Sequence, residues 1–341
     1  KKMKKYLRKN TNHYKSFSID FENKFFSERK YQIISAKNSN LKNKRIVINN
    51  TDIINNFSKT IYHAETTLFR SAPVPMMLLS KAVNHQGLKF ILSGEGADEI
   101  LLGYDIFKLP KINNFLNRNQ DSNFRYYIMK NLYNHLPQYQ NRKYLKLIST
   151  IYSNKNFFSK NYPHHYYRWG NNLKLMSIFN KNINISINKS LDNLKPLIIE
   201  KQKLGQAQQI EKQTLLSNYL LSSQGDRMLM ANSIEGRYPF LDRELVNFTT
   251  NMPTSLKLNY LKEKFILKKT FEKTIPQQIK DRNKFPYQAP DMSALANNEI
   301  TREMLSDKNI KKSGIFSKIS LRKPFIKSFF AFEKSIPRVI K

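Results

Sequence analysis

Apolar residues in the first hundred positions alternate between a two-residue spacing and a helical spacing. The two-residue spacing, as in Phe17, Ile19 and Phe21, and short apolar runs predict three strands, at 17–21, 45–49 and 88–92. Apolar positions three and four apart predict helices between them, at 27–40, 51–61 and 75–85. Strands that alternate with helices are typical of a parallel sheet covered on both faces, and we expect the third strand to be buried.

Residues that favour helix ends stand near these boundaries. Ser27 is a candidate N-cap for the first helix, and Thr51 or Asp52 for the second. Gly87 is a suitable residue to end the third helix.

The back of the chain has a different pattern. Residues 111–200 are rich in Asn, Lys and Tyr with weak periodicity, and we interpret them as helical and irregular. A long helical pattern returns over 205–233, and the rest of the chain is mostly helical with turns at prolines. The predicted fold class is therefore α/β, with a parallel sheet in 1–110, a variable helical insert in 111–200 and a helical part in 201–341.

The chain has 341 residues and a net charge of +34, from 59 Lys plus Arg against 25 Asp plus Glu. Such a charge is compatible with nucleic-acid binding. The lysines are spread along the whole chain, however, so they could equally be solvent-exposed surface residues without a binding role. The densest basic runs are 1–5 and 311–341. The absence of Cys excludes disulfides, thiolate metal sites and a cysteine nucleophile within this chain. No apolar run is long enough for a membrane helix, and we expect a cytoplasmic protein.

The strongest local motif is SGEGADE at 93–99, which follows a predicted strand and opens a predicted helix. Ligands of open parallel sheets bind where strands end and helices begin, and glycines let the backbone approach a phosphate closely. The carboxylates of Glu95, Asp98 and Glu99 would repel a bare phosphate, but Mg²⁺ bound to one or two of them would offset that repulsion. Alternatively, Asp98 and Glu99 only stabilise the start of the helix through their interaction with the helix dipole.

Two later segments carry further charged residues. In 226–242, four of them fit a buried ion-pair network: Asp226, Arg227, Glu235 and Arg237. Alternatively, Arg237 clamps a carboxylate or phosphate with its planar guanidinium. In 282–291, two prolines and the lack of helical spacing predict a loop, on which Lys284 is either solvated or delivers charge to a reaction.

Read together and in this order, these segments resemble the synthetase domain of glutamine-dependent asparagine synthetases of the class B type. The similar motifs are ETTLFRSAPVPM at 65–76, SGEGADE at 93–99 followed by Gly103-Tyr104, EGRYPFLD at 235–242 and KFPYQAPD at 284–291. The resemblance covers nearly the whole chain. It implies a parallel sheet of the adenine-nucleotide α-hydrolase type with a helical C-terminal half.

The resemblance also implies a ligase reaction. A carboxylate, usually that of aspartate, attacks the α-phosphorus of Mg-ATP and releases pyrophosphate, and ammonia then converts the acyl-adenylate into the amide and AMP. Ile19, Ser93 and Gly94 correspond to contacts with the nucleotide. Glu95 corresponds to the acid tied to adenylate formation and to deprotonation of the ammonium nucleophile, and Lys284 to the lysine that neutralises charge on the α-phosphate.

Four further residues receive roles in the same way. Asp98 and Glu99 correspond to ligands of Mg-pyrophosphate, and Arg70 and Arg237 to contacts with the carboxylate or a phosphate. The implied cofactors are ATP and Mg²⁺. The implied partners are aspartate or another carboxylate, and ammonia from a glutaminase domain or subunit outside this chain; neither a membrane nor nucleic acid is expected, and a homodimer is left open.

The sequence departs from the family pattern at three points. The pyrophosphate-binding loop Ser-Gly-Gly-x-Asp-Ser and the glutaminase with its terminal Cys are missing, and Leu102 replaces a Gly usual before Gly103. We therefore expect a fragment, a split-gene subunit or a decayed copy, without glutaminase activity and with poor or absent adenylation on its own. Two alternatives stay open: amidation of a sugar acid or natural-product carboxylate, and a non-catalytic basic protein that binds nucleic acid.

Overall fold

The computed structural model describes residues 14–153, 162–165, 168–169, 178–180, 187–282, 284–296 and 298–316. The chain divides into two compact units, each built from non-contiguous stretches. The first lies within 1–101, 214–257 and 264–295, and the second within 102–213, 258–263 and 296–341. Within the described ranges, no helix has the length and hydrophobicity needed to cross a membrane. The basic run at 1–5 and most of that at 311–341 lie outside the described residues.

The first unit begins with a parallel strand pair. Strand β1 (Lys15–Phe21) pairs with β2 (Lys42–Ile48), and Ile19 lies opposite Ile46. The strands predicted at 17–21 and 45–49, and their parallel pairing, are thus confirmed.

A second, shorter parallel pair joins distant parts of the chain. Strand β3 (Phe90–Leu92) pairs with β4 (Glu235–Arg237). The prediction that the third strand is buried is wrong, because the Phe90 and Leu92 side chains are 49% and 65% exposed. Among the described residues, this pair is separate from the β1–β2 pair, so the single sheet expected from the sequence is observed as two ladders.

The rest of the first unit is mainly helical. Its α-helices are Arg29–Ser39, Asn50–Ala64, Pro73–Asn84, Ala97–Ile100, Arg227–Met230, Arg243–Asn251, Thr254–Lys257, Phe265–Thr270, Gln277–Lys280 and Asp291–Leu295. A 3₁₀ turn covers Pro239–Leu241, and a π-helical segment covers Glu211–Asp226, whose first three residues belong to the second unit. The three helices predicted in the front half are all present.

The cap of the second of these helices differs from the prediction. Asn49, not Thr51 or Asp52, is its N-cap. The Asn49 side chain accepts the Asp52 amide at 2.8 Å, and the Asp52 carboxylate accepts the Asn49 amide at 2.9 Å, which forms a reciprocal capping box. The prediction of Ser27 as N-cap of the first helix is also wrong, because Glu28 is its N-cap. The Ser27 hydroxyl lies one residue earlier and accepts the Arg29 amide at 3.3 Å. Gly87, at φ +70°, follows the third helix as expected.

The main core of the first unit joins the β1–β2 pair to helices from both ends of the chain. Its buried members are Phe21, Ile48, Ile53, Val74, Ala289 and Ala294. The last two lie near the end of the loop predicted at 282–291, and the described residues 282 and 284–290 of that loop are free of helix. Burial of these alanines therefore anchors the segment that carries Lys284.

The described part of the second unit is mainly helical. Its α-helices are Leu109–Arg118, Arg142–Ser153, Ile187–Leu194, Lys203–Ile210, Glu299–Met304 and Asp307–Ser313. Its 3₁₀ helices are Asp105–Lys108, Arg125–Asn131, Pro137–Gln140 and Lys195–Leu197. Leu102, which stands where the family usually has Gly, is fully buried in this unit's core and adopts φ +57°, a conformation that favours Gly.

Candidate active site

The SGEGADE motif forms a tight turn between β3 and the helix Ala97–Ile100. The Ser93 amide donates to the Arg237 carbonyl at 2.9 Å and so extends the β3–β4 ladder by one step. Gly96 adopts φ +87°, and a Cβ there would overlap the Leu241 side chain. Only Gly fits both the backbone conformation and the space at this position, so the turn that follows Glu95 depends on it.

An ion-pair cluster lies just beyond this turn. The Asp98 carboxylate accepts from the Lys264 ammonium at 2.8 Å and from the Lys284 ammonium at 3.1 Å, one lysine on each oxygen. The three side chains are 17%, 21% and 23% exposed, so they are largely withdrawn from water. Burial alone would raise the pKa of the Asp98 carboxyl, but the two lysines outweigh burial and hold that pKa below its usual range.

Glu95 lies close to the same cluster, but the pKa of its carboxyl is raised, whereas that of Asp98 is lowered. Burial raises the pKa of its carboxyl, the negative charge of Asp98 raises it further, and the positive charge of Lys284 opposes both. A carboxylate with a raised pKa is a stronger base than an ordinary Glu, which suits it to accept a proton near neutral pH. The structure therefore brings together three of the predicted residues: Glu95, Asp98 and Lys284.

Glu99 is placed differently. Its side chain is 1% exposed, and neighbouring residues of a helix do not share a face. Among the described residues, no group of three or more His, Cys, Asp or Glu side chains is placed to hold a metal. Asp98 is nonetheless a hard oxygen ligand beside two ammonium groups that attract phosphate. This set fits a Mg²⁺ ion that arrives with a phosphate ligand and takes one carboxylate from the protein.

Contacts on the C-terminal side of Lys284 tie its loop to the rest of the unit. The Tyr287 hydroxyl donates to the Ala72 carbonyl at 3.3 Å, and the Ser71 amide donates to the Asp291 carboxylate at 2.6 Å. Ala289 lies in the core already described. These anchors fix the loop within a few residues of Lys284, so its ammonium group is held at Asp98 and is not simply solvated.

The predicted nucleotide contacts lie in a strand or directly after one. Ile19 is in the middle of β1, and its carbonyl accepts the Gln32 side-chain amide at 2.6 Å. Ser93 and Gly94 directly follow β3, and Gly94 is exposed with open space where a Cβ would lie. The contact of these residues with a nucleotide stays a prediction.

The two predicted arginines are not in the ion-pair cluster. Arg70 is exposed, and its guanidinium lies 5.4 Å from the centre of the Phe69 ring. Arg237 donates to Glu235 at 2.8 Å and lies 4.3 Å from the centre of the Phe90 ring. The role of both arginines in binding a carboxylate or phosphate stays a prediction.

The alternative of one buried ion-pair network in 226–242 is wrong. Arg237 and Glu235 form an exposed pair, with 52% and 61% of their side chains accessible. Arg227 instead pairs at 3.8 Å with Glu65, which is 76% exposed, and Asp226 accepts the Tyr238 hydroxyl at 2.7 Å. Strand geometry explains the first pair, because alternate residues of β4 point to the same face.

Lys264 is the functional candidate that sequence reasoning missed. It precedes the helix Phe265–Thr270 and adopts φ +50°, a conformation unusual for Lys. No sequence signal marks it, because it is one of 59 basic residues and belongs to none of the motifs.

Comparison with known proteins identifies the family of the chain. The chain matches the family described as "Asparagine synthase" over residues 3–328, and it therefore belongs to that family. It is similar to "Asparagine synthetase [glutamine-hydrolyzing] 1" of Bacillus subtilis, at 25% identity over 308 residues, which are 86% of this chain and 45% of the relative. It is also similar to "Amidase chyE" of Penicillium rubens, at 26% identity over 261 residues, which are 69% of this chain and 37% of the relative.

One shorter match is closer in sequence. "Asparagine synthetase [glutamine-hydrolyzing] 3" of Bacillus subtilis is 44% identical over 62 residues, which are 18% of this chain and 10% of the relative. The chain thus spans less than half the length of these curated relatives.

Proposed function

We propose that this chain is the synthetase part of an ATP-dependent ligase that converts a carboxylate into an amide through an acyl-adenylate, with release of pyrophosphate. The observation that carries the proposal is the Lys264–Asp98–Lys284 cluster beside Glu95. Family membership supports the same class of reaction. The proposal also includes a parallel sheet of the adenine-nucleotide α-hydrolase type and a cytoplasmic location.

The two lysines supply the positive charge that the reaction needs. When the acceptor carboxylate oxygen bonds to the α-phosphorus, the bond to pyrophosphate breaks and negative charge grows on the phosphate oxygens. Fixed ammonium groups stabilise that charge, and a single such group is typically worth about 10²–10³ in rate. We assign this role to Lys284, and we assign to Lys264 the binding of the phosphates that leave.

Asp98 and Glu95 have separate roles in this proposal. Asp98 holds both lysines in place and would be the protein ligand of a Mg²⁺ ion, which when bound offsets charge on the phosphates. Glu95 accepts a proton from the ammonium ion, so that neutral ammonia attacks the acyl carbon and AMP leaves. The raised pKa of Glu95 favours this transfer.

We take aspartate as the acceptor, because asparagine synthetases are among the relatives. Ammonia would come from a glutaminase domain or subunit outside this chain. The second candidate acceptor is a sugar acid or a natural-product carboxylate, and a relative named as an amidase is compatible with an acceptor other than aspartate.

The test measures pyrophosphate release from ATP, ammonium and aspartate by the native protein, purified from cells that carry the natural gene. We expect release that depends on both the acid and ammonium. Lys284→Met should lower kcat/KM about 10²–10³-fold. The matched control is Lys59→Met, an exposed lysine on the helix Asn50–Ala64, which should leave kcat/KM unchanged. Equal activity of the two variants would contradict the role of Lys284.

A further inference from the structure

An aromatic surface lies along the 3₁₀ helix Arg125–Asn131 of the second unit. Side chains three residues apart in a 3₁₀ helix lie one above the other on the same face. Tyr126 and Met129, at 3% and 0% exposure, belong to this unit's core. The positions on the other side follow the same spacing and are all exposed: Phe124, Tyr127 and Lys130. We call these three residues the exposed row.

The two rings of the exposed row are nearly parallel. Their planes differ by 11°, and their centres are 6.3 Å apart. The Phe124 and Tyr127 side chains are 67% and 38% exposed, so both rings are accessible to a ligand. Successive bases of a single strand also lie nearly parallel, and they stack on aromatic side chains with little regard to sequence because every base has a π face.

Positively charged side chains lie beside these rings. The Lys130 ammonium is 5.2 Å from the centre of the Tyr127 ring. On the next α-helix of this unit, Arg142 and Lys146 lie one turn apart, and their cationic groups are 5.9 Å and 5.4 Å from the centre of the Tyr126 ring. The Arg142 Nε atom donates to the Tyr126 hydroxyl at 2.7 Å, which holds the guanidinium in place.

These three cations have no carboxylate partner among the residues that the structure describes. Residues 102–153 contain eight Lys and Arg but two Asp and Glu, and one of those acids, Asp105, pairs with Lys108 at 2.8 Å. The region therefore attracts polyanions. An apolar partner would gain nothing from the cations, and a polyanion without rings would gain nothing from the exposed aromatic side chains.

We propose that the exposed row, together with Arg142 and Lys146, binds single-stranded nucleic acid, either RNA or DNA. Bases stack on Phe124 and Tyr127, and phosphates pair with the three cations. The binding surface belongs to the second unit alone, so the proposal goes beyond the ligase function and does not depend on it.

The test measures binding of fluorescein-labelled oligouridylate and oligothymidylate, each of about 12 nucleotides, to the native protein. Fluorescence anisotropy is recorded at several salt concentrations. An RNA duplex of the same length is the comparison ligand, because its bases are stacked on one another and cannot stack on Phe124 and Tyr127. We expect the single strands to bind at about 0.15 M salt, and the tighter of the two identifies RNA or DNA.

Two kinds of variant separate stacking from charge. Phe124→Ala and Tyr127→Ala should each weaken binding of the single strands about fivefold or more and leave duplex binding unchanged. Lys130→Gln combined with Lys146→Gln should flatten the plot of log affinity against log salt by about 1.4, because each phosphate contact of a single strand contributes about 0.7 to the slope. All four side chains are exposed, and circular dichroism checks that the variants fold.

The matched controls lie in the first unit. Phe248→Ala removes a ring that is 66% exposed, and Lys59→Gln combined with Lys81→Gln removes two exposed charges. They should change neither the affinity nor the slope. The proposal is refuted if the wild type does not bind either single strand, if the aromatic variants bind as the wild type does or lose duplex binding equally, or if the control lysines flatten the slope as much.

Discussion

Replacement of Asp98 by Asn is the sharpest structural test of the ion-pair cluster. Asp98→Asn keeps the shape of the side chain but removes the charge that holds Lys264 and Lys284 together. Each hydrogen bond to a charged group contributes about 1.5–3 kcal/mol, and the lower value applies here because water still reaches about a fifth of each side chain. Two such bonds give an expected loss of about 3 kcal/mol in the free energy of unfolding.

The assay is urea unfolding followed by far-ultraviolet circular dichroism at pH 7. Glu235→Gln is the matched control, because it removes an ion pair with the same 2.8 Å distance in the same unit but at an exposed site. We expect no measurable loss for that variant.

The pH dependence gives an independent check. The pKa of Asp98 is lowered in the folded state, so its contribution is present above the unfolded pKa of about 3.9 and is lost as pH falls through the folded value. The difference between Asp98→Asn and the wild type should therefore shrink below pH 4. If Asp98→Asn loses no more stability than Glu235→Gln, the cluster is not the buried, mutually stabilised group described above.

Three further predictions concern stability. Burial lowers the pKa of His164 to about 2 and also lowers the pKa of His165. Both side chains are therefore neutral in the folded state, and below pH 6.5 the unfolded chain binds protons that the folded chain does not. The free energy of unfolding should then fall with decreasing pH by up to about 1.4 kcal/mol per pH unit for each histidine. Urea unfolding from pH 7 to 5 measures this slope, and His164→Phe should flatten it; an unchanged slope would count against the argument. Leu102→Gly relieves about 1–2 kcal/mol of backbone strain but loses a buried side chain worth about 2–5 kcal/mol. We therefore expect a net loss of up to about 4 kcal/mol in the free energy of unfolding, measured by thermal unfolding, and a gain would contradict this. Gly96→Ala forces a Cβ against Leu241 and should cost more than about 1 kcal/mol in the same assay, whereas wild-type stability would show that the turn adapts.

The front of the fold could be predicted from the sequence because its apolar pattern is strong. Alternation at Phe17, Ile19 and Phe21 fixed which face of β1 is apolar, and the structure confirms both β1 and its parallel partner β2. The interpretation of 88–92 as a buried strand was wrong, because a short apolar run does not reveal whether its strand lies at an edge. The Arg237 guanidinium packs over the Phe90 ring, so a charged side chain covers part of an apolar residue that the sequence pattern placed in the core.

The candidate site could be predicted only where it follows a local motif. Glu95 and Asp98 share one turn and Lys284 lies on a recognisable loop, so reading the motifs in order was enough to group them. Lys264 comes from another segment and reaches its place only through the folded first unit. A lysine at positive φ beside a largely buried carboxylate results from three-dimensional packing, and no spacing along the chain records it.

Activation of the acceptor carboxylate as an adenylate is tested most directly with aspartate labelled with ¹⁸O in both carboxylates. The native protein is incubated with this aspartate, ATP and ammonium, and the AMP is analysed by mass spectrometry. In the proposed reaction a carboxylate oxygen bonds to the α-phosphorus and stays there when ammonia displaces AMP. We therefore expect one ¹⁸O atom in each AMP formed with the amide. Unlabelled AMP, or label in inorganic phosphate with formation of ADP, would contradict it.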